Sequence, residues 1–417
     1  MIILSEKIDD TNNSNYLTSK NALMFVLLIG VVSLFADTTY EGARSIAGPF
    51  LGSLGADGLM VGLIVGASEL VGYSIRMFSG ILSDKMKNYW LITITGYVIN
   101  LFAVPLLALA GSWQIAAVLI IAERFGKGVR NPPRDAMLSH AGTQVGSGRA
   151  FAIHEALDQT GAIIGPLVLA LVLLVNEPTA SNASDPYRMG YAVLLIPAAL
   201  AILTLLFARS KFPHPKNFEP IVPLHEGSAF NKSYWVFLIA MALIASGFAD
   251  FPIIAFHLSS NTTLDIALIP VLYALAMGVD GIAALIIGHV FDRTGLIILA
   301  GAVFISSFSA FFAFSTNNSF VVVGIILWAI SLGAQETLIG ATIGQLVPKN
   351  KRSTAYGIFN TSYGFAWFIG SAIIGYFLDI NIMILMVFSF VVQILAIPLL
   401  LYVGQQMKKK PTVPVAQ

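Results

Sequence analysis

The chain has no cysteine, which excludes disulfides, thiolate metal sites and cysteine nucleophiles together. Charge is scarce too. Only 11% of the 417 residues are Asp, Glu, Lys or Arg and the formal net charge is +1, so no basic stripe stands ready for a nucleic acid and no such partner is expected. There is no G-x-x-x-x-G-K-[ST] loop to cradle the phosphates of ATP and no H-E-x-x-H to hold a catalytic zinc. An intramembrane hydrolase would need a serine partnered with a pair such as His154 and Asp158, and the sequence places none there. No enzyme and no cofactor is expected. Any work against a gradient must draw on protons or another ion.

Apolar residues are abundant, at 57% of the chain with a mean hydropathy of +0.81. From Asn21 onward they form runs of about twenty residues, the length a helix needs to cross roughly 30 Å of hydrocarbon. Twelve spans are expected, at 22–49, 58–82, 89–110, 113–138, 150–175, 189–208, 233–258, 265–290, 296–315, 319–347, 354–378 and 382–404. The fold class is therefore an all-α membrane protein, with the lipid bilayer as its surroundings. Residues 1–20 are polar and aperiodic and lack a signal-peptide cleavage site, so they read as a disordered tail.

Orientation follows from the basic residues. With the N-terminus in the cytoplasm, the inner segments hold Lys7, Lys20, Lys85, Lys87, Arg149, Arg209, Lys211, Lys216, Lys232, Arg293, Lys349, Lys351, Arg352 and Lys408 to Lys410, against Arg188 alone outside. That bias places both termini in the cytoplasm of a cell membrane. Residues 209–232, rich in Pro, His and Lys, then form a cytoplasmic linker between six-helix halves at 21–208 and 233–404, with a cytoplasmic tail at 405–417.

The halves repeat. Gly80-Ile-Leu-Ser-Asp84-Lys85 after span 2 matches Gly288-His-Val-Phe-Asp292-Arg293 after span 8, a shift of 208 residues. Ala150-Phe-Ala-Ile153, with Gly165 twelve residues on, matches Ala355-Tyr-Gly-Ile358 and Gly370 at a shift of 205. Two matches at nearly one offset imply a six-helix repeat.

These residues resemble the major facilitator superfamily of secondary transporters over spans 1 to 12. The loop motif G-x-L-a-D-[RK]-x-G-[RK] is carried by Gly80, Leu82, Asp84 and Lys85, with Lys87 in place of the second glycine, and more fully by Gly288, Asp292, Arg293 and Gly295. Span 4 is similar to the motif with a membrane-embedded arginine, as Ile120, Arg124, Lys127 and Gly128. Span 5 carries Gly161-x-x-x-Gly165-Pro166, similar to the start of the antiporter motif, then departs at Leu169 and Ala170. The resemblance implies two pseudo-symmetric six-helix bundles, alternating access for a small-molecule solute, a monomer, and gating by the two loop motifs. For Gly161 to Pro166 it implies either closure of the outer path or plain helix packing with a kink.

Spans 3, 6, 9 and 12 carry no charge between their ends, whereas spans 1, 2, 4, 5, 7, 8 and 10 do. A charge facing lipid costs at least a few kcal/mol, so the charged helices must face a cavity. Asp37, Glu41 and Arg44 share one stripe of span 1, Glu69 and Arg76 one of span 2, and Glu155 and Asp158 one of span 5. In Leu119 to Met137, Glu123, Arg124 and Lys127 read as mid-membrane site residues, while Arg130, Arg134 and Asp135 flank a break at Pro132-Pro133 and read as an inner gate. The other half has acids without bases: Asp250, Asp280 and Glu336 are candidates for ion coupling, or for pairing with Arg124 or Lys127 across the bundle. His154 is either a proton relay to Asp158 or a hydrogen-bonded structural residue. Trp328 and Trp367 either stack on a substrate or pack. The resemblance implies proton-coupled export of a small organic solute, and the acids of the second half point to a cationic or amphipathic one, with import and a nontransporting sensor as alternatives.

Overall fold

The computed structural model describes residues 19–86, 88–176, 183–214, 230–348 and 351–409. Among these residues fifteen α-helices run in chain order: α1 (Ser19–Ser53), α2 (Gly58–Met86), α3 (Tyr89–Leu106), α4 (Trp113–Val145), α5 (Ser147–Val175), α6 (Asp185–Val193), α7 (Leu195–Lys211), α8 (Lys232–Gly247), α9 (Phe251–Asn261), α10 (Leu268–Thr294), α11 (Ile297–Ser306), α12 (Ser309–Ala313), α13 (Asn318–Leu346), α14 (Arg352–Ile380) and α15 (Ile382–Lys409). Joining α6 to α7, α8 to α9 and α11 to α12 gives the twelve expected rods. Among the described residues, ten rods are long and apolar enough to cross a membrane. The other two are α4, which is too charged, and α11–α12, which is short and broken at Ser307 and Phe308.

The rods alternate in direction, so their ends define two faces. One, called here the basic face, carries Lys85, Arg209, Lys211, Lys232, Arg293, Arg352 and Lys408. The expected tail at 1–20, linker at 209–232 and tail at 405–417 fall outside the described residues for 1–18, 215–229 and 410–417; the flanking residues 209–211 and 405–409 continue helices α7 and α15.

The repeat is visible in packing. α1 packs on α5 and α7, α2 on α4, and α3 on α4; six rods later, α8 packs on α14 and α15, α10 on α13, and α11 and α12 on α13. The halves meet along α2 with α14, α5 with α10, and α1 with α9. The rods containing α8–α9 and α1 are the most buried, at 72% and 61% of their apolar windows, and the last rod of each half the least, at 33% and 28%. The uncharged third rod is 50% buried, because α4 and α7 cover part of it. Absence of charge therefore marks the outer position most clearly for the last rod of each half.

Two helices depart from the expected pattern. α4 does not break at Pro132-Pro133 but continues to Val145, about 50 Å at 1.5 Å per residue. Pro133 removes the N–H that would bond the Val129 carbonyl, and the Ser79 hydroxyl of α2 donates to that carbonyl instead at 2.5 Å. The rod expected at 233–258 is interrupted, with α8 ending at Gly247 and α9 starting at Phe251. Asp250 is the N-cap of α9, accepting from Phe251 N at 2.8 Å, and Pro252 lies in the first turn, where no N–H is needed. The carbonyls freed at the break are satisfied from neighbouring helices. Gly247 O accepts from Ser389 Oγ at 2.6 Å and Gln393 Nε2 at 3.1 Å, and Ala249 O accepts from Trp328 Nε1 at 2.8 Å. An irregular backbone at membrane depth requires such partners.

Candidate functional site

The interruption places Asp250, fully buried, beside the other half. Arg44, two turns along α1 from Asp37, donates Nη2 to Asp250 Oδ1 and Nη1 to Glu69 Oε1, the latter at 3.0 Å. Arg124 of α4 reaches the same Glu69 oxygen at 3.2 Å and Glu123 Oε2 at 3.4 Å, and Glu123 Oε1 accepts from Asn100 Nδ2 at 2.7 Å. The result is one alternating chain, Asp250–Arg44–Glu69–Arg124–Glu123, running from the second half into the first. Beside it lies a cavity of about 30 Å³ lined by Tyr40, Arg44, Glu69, Glu123, Arg124 and Asp250, large enough for water.

A second group surrounds Tyr40. Its ring lies 3.8 Å from Lys127 Nζ, with the Arg130 and Arg124 guanidiniums at 5.6 and 5.8 Å. Its hydroxyl donates to Asp37 Oδ2 at 2.9 Å. Lys127 approaches Glu41 at 3.8 Å, and Glu41 accepts from Tyr273 of the other half at 2.5 Å. Asp158 of α5 turns its carboxyl toward Asp37. Arg130, expected at a cytoplasmic gate, is fully buried in the first half with its guanidinium 4.3 Å over the Tyr97 ring and 3.9 Å from Asp37. From the middle of unbroken α4 it contacts α1 and α3, and none of its guanidinium nitrogens has a hydrogen-bond partner.

The acids of the second half have different surroundings. Asp250 is paired across the bundle, but with Arg44 and not with Arg124 or Lys127. Asp280 is buried and accepts from Gln159 Nε2 of α5 at 3.0 Å, and its Oδ1 has no hydrogen-bond partner. Glu336 and, from the first half, Glu155 are exposed and lie within electrostatic reach of each other. Among the described residues, no Lys or Arg forms an ion pair with Asp280 or Glu336. Lys127, Glu41, Arg44 and Asp158 lie within electrostatic reach of Glu336.

The remaining candidates are scattered. Arg76 lies over the Tyr73 ring at 4.6 Å. Gly80 faces Pro132 at 3.8 Å, Lys85 is exposed, and the Asp84 side chain lies outside the described residues. Gly288 faces Thr337, and Asp292 and Arg293 are exposed. Arg134 and Asp135 pair with each other at 2.8 Å. Gly161 and Gly165 press against the α1 backbone at Leu34 and Thr38, and Pro166 lies within unbroken α5, so this motif packs α1 on α5 inside one half. His154 bonds Ser33 Oγ at 2.8 Å, the structural alternative. Trp328 and Trp367 are buried, stacked on Phe248 and edged against Tyr363 respectively.

Sequence reasoning missed Tyr40, Asn100, Gln159 and Tyr273 as site residues and undervalued Arg44. Arg44 had a signal, its place on the Asp37 stripe. Asp250-Phe251-Pro252 also had one, since Asp followed by Pro in the first turn marks a helix start. Gln159 and Tyr273 had none, because their partners lie in the other half.

A family model of the Major Facilitator Superfamily matches residues 26–371. The chain belongs to that superfamily. An uncharacterized protein of Mycobacterium tuberculosis is 39% identical over 383 residues, covering 90% of this chain and 92% of that protein. An uncharacterized MFS-type transporter of Methanocaldococcus jannaschii is 25% identical, covering 96% and 99%. The multidrug resistance protein MdtH of Proteus mirabilis is 30% identical over 43% of this chain and 41% of its own. Among solved structures, a peptide transporter POT in complex with sulfate superposes with a TM-score of 0.73 at 12% identity, covering 92% of this chain and 94% of that one. This superfamily member is a multi-pass membrane transporter and not an enzyme.

Proposed function

We propose that this transporter is a proton-coupled exporter of small organic solutes, cationic or amphipathic, working by alternating access in the cell membrane with both termini cytoplasmic. The observation that carries the reading is the contrast among the acids of the second half. Asp250 is paired with a cation from the first half, whereas among the described residues no Lys or Arg pairs with Asp280, buried against Gln159 of the first half, or with exposed Glu336. A carboxylate in that position needs a proton, a metal cation or a cationic solute, and competition among these couples ion to solute. Arg44 links the competition to movement, since its two acids belong to different halves. Similarity to a protein named for multidrug resistance favours export over import, and the lysine bias favours cytoplasmic termini.

The test is purified protein in liposomes with an imposed pH gradient and a panel of organic cations and neutral amphiphiles, reading solute and proton movement together. Coupled, opposed fluxes are expected for at least one solute. Solute binding with no movement of any panel member would indicate a sensor, and fluxes in the same direction an importer.

A further inference from the structure

On the face opposite the basic one the two halves are bonded directly to each other, and none of the expected gating residues makes the bond. The contact is the start of α2 against the end of α14. A helix start leaves its first N–H groups without intrahelical partners. In α2, Met60 N is met by Asp57 Oδ1 of the preceding turn at 2.8 Å. Gly58 N and Leu59 N are met by the two carboxylate oxygens of Asp379, at 2.8 Å each, from the other half of the protein. Asp379 is the penultimate residue of α14, where a negative charge opposes the dipole of its own helix. The charge is favourable there only because the positive end of α2 lies against it.

The seam is built for close approach. A Cβ on Gly62 would run into the Ser371 carbonyl and lie 3.0 Å from Gly375 Cα, and one on Gly66 would lie 2.9 Å from Phe368 Cα. Gly58, Gly62 and Gly66, one turn apart, thus let two backbones touch and bring Asp379 over the helix start. At the pseudo-equivalent seam, the end of α5 against the start of α10, the described residues show no carboxylate bonded across the halves: Asn176 folds back to donate to Val172 O, and Asp265 caps Ala267 N within its own half.

We propose that Asp379 is a positioning residue of the transport cycle that latches the opposite face shut by capping α2 across the two halves. Opening that face must break both bonds, leaving two helix N–H groups and a carboxylate to water. The inference depends on the alternating-access part of the function proposed above, and on neither its ion nor its solute.

The absence of cysteine makes the test direct. Spin labels on Gln114→Cys and Met383→Cys, exposed positions on the opposite face of the two halves, report the gap between them by pulsed dipolar spectroscopy. In Asp379→Ala the long-distance, open population should rise about tenfold relative to the shut one, as expected for losing charge-assisted hydrogen bonds at a solvated site. Asp379→Asn, which keeps the shape and one acceptor oxygen, should fall between that variant and the parent. The thermal midpoint in detergent should stay near the parent's. Distance distributions for Asp379→Asn and Asp379→Ala that match the parent would overturn the latch, as would a change in melting with no change in distances. The distances are read without solute or gradient, so failure of the latch and failure of proton-coupled export are separately visible.

Discussion

Arg44 is the residue through which the two halves share charge, and its neighbours divide the consequences. Removing it as Arg44→Gln leaves Glu69 with only Arg124 and Asp250 with no cation. Breaking a buried pair from one side costs about 3 kcal/mol or more, so this variant should melt earlier in detergent and lose transport. Asp250 has two jobs that substitution can separate. Asn is as good an N-cap as Asp, so Asp250→Asn should retain the start of α9 and lose only the charge that Arg44 grips. Asp250→Ala should lose about 1 kcal/mol more in unfolding measurements, and equal melting of the two variants would remove the capping role. Arg130, buried against Tyr97 and Asp37, is a different kind of cation. Arg130→Ala should lower stability by about 3 kcal/mol, whereas a normal melting point with altered gating would restore the mouth position that its sequence neighbours suggested.

At the scale of elements, the instructive features are the helix that does not break where proline predicts and the one that breaks where only a cap predicts. The double proline in α4 is tolerated because Ser79 of α2 supplies a donor to the Val129 carbonyl. Ser79→Ala should therefore cost about 1 kcal/mol, visible as a lower melting point, although serine lies far from 132 in sequence. Periodicity cannot show such a rescue, since it depends on which helix lies alongside. The break before α9 was legible in principle from Asp250 and Pro252, but a hydropathy window averages across it. Its repair by Ser389, Gln393 and Trp328 was not, because those donors come from α15 and α13. Charge placement read further: the helices named as cavity-facing supply every member of the buried ionic chain, and only its hydrogen-bond donor Asn100 comes from an uncharged span.

For the molecule as a whole, spans, repeat and superfamily were all readable from apolar length and from Gly80–Lys85 and Gly288–Arg293, because lipid imposes those patterns locally. Which acid meets which base was not. Asp280 finds Gln159 and Asp250 finds Arg44 only when the halves close, through bonds spanning 121 and 206 residues. The same pairing across halves makes the central claim testable in one measurement: pH-driven accumulation of a transported solute in proteoliposomes, compared with solute exchange at equal pH. If Asp280 and Glu336 carry the coupling, Asp280→Asn combined with Glu336→Gln should abolish accumulation against a gradient while exchange continues. Undiminished accumulation in that double variant would contradict the account.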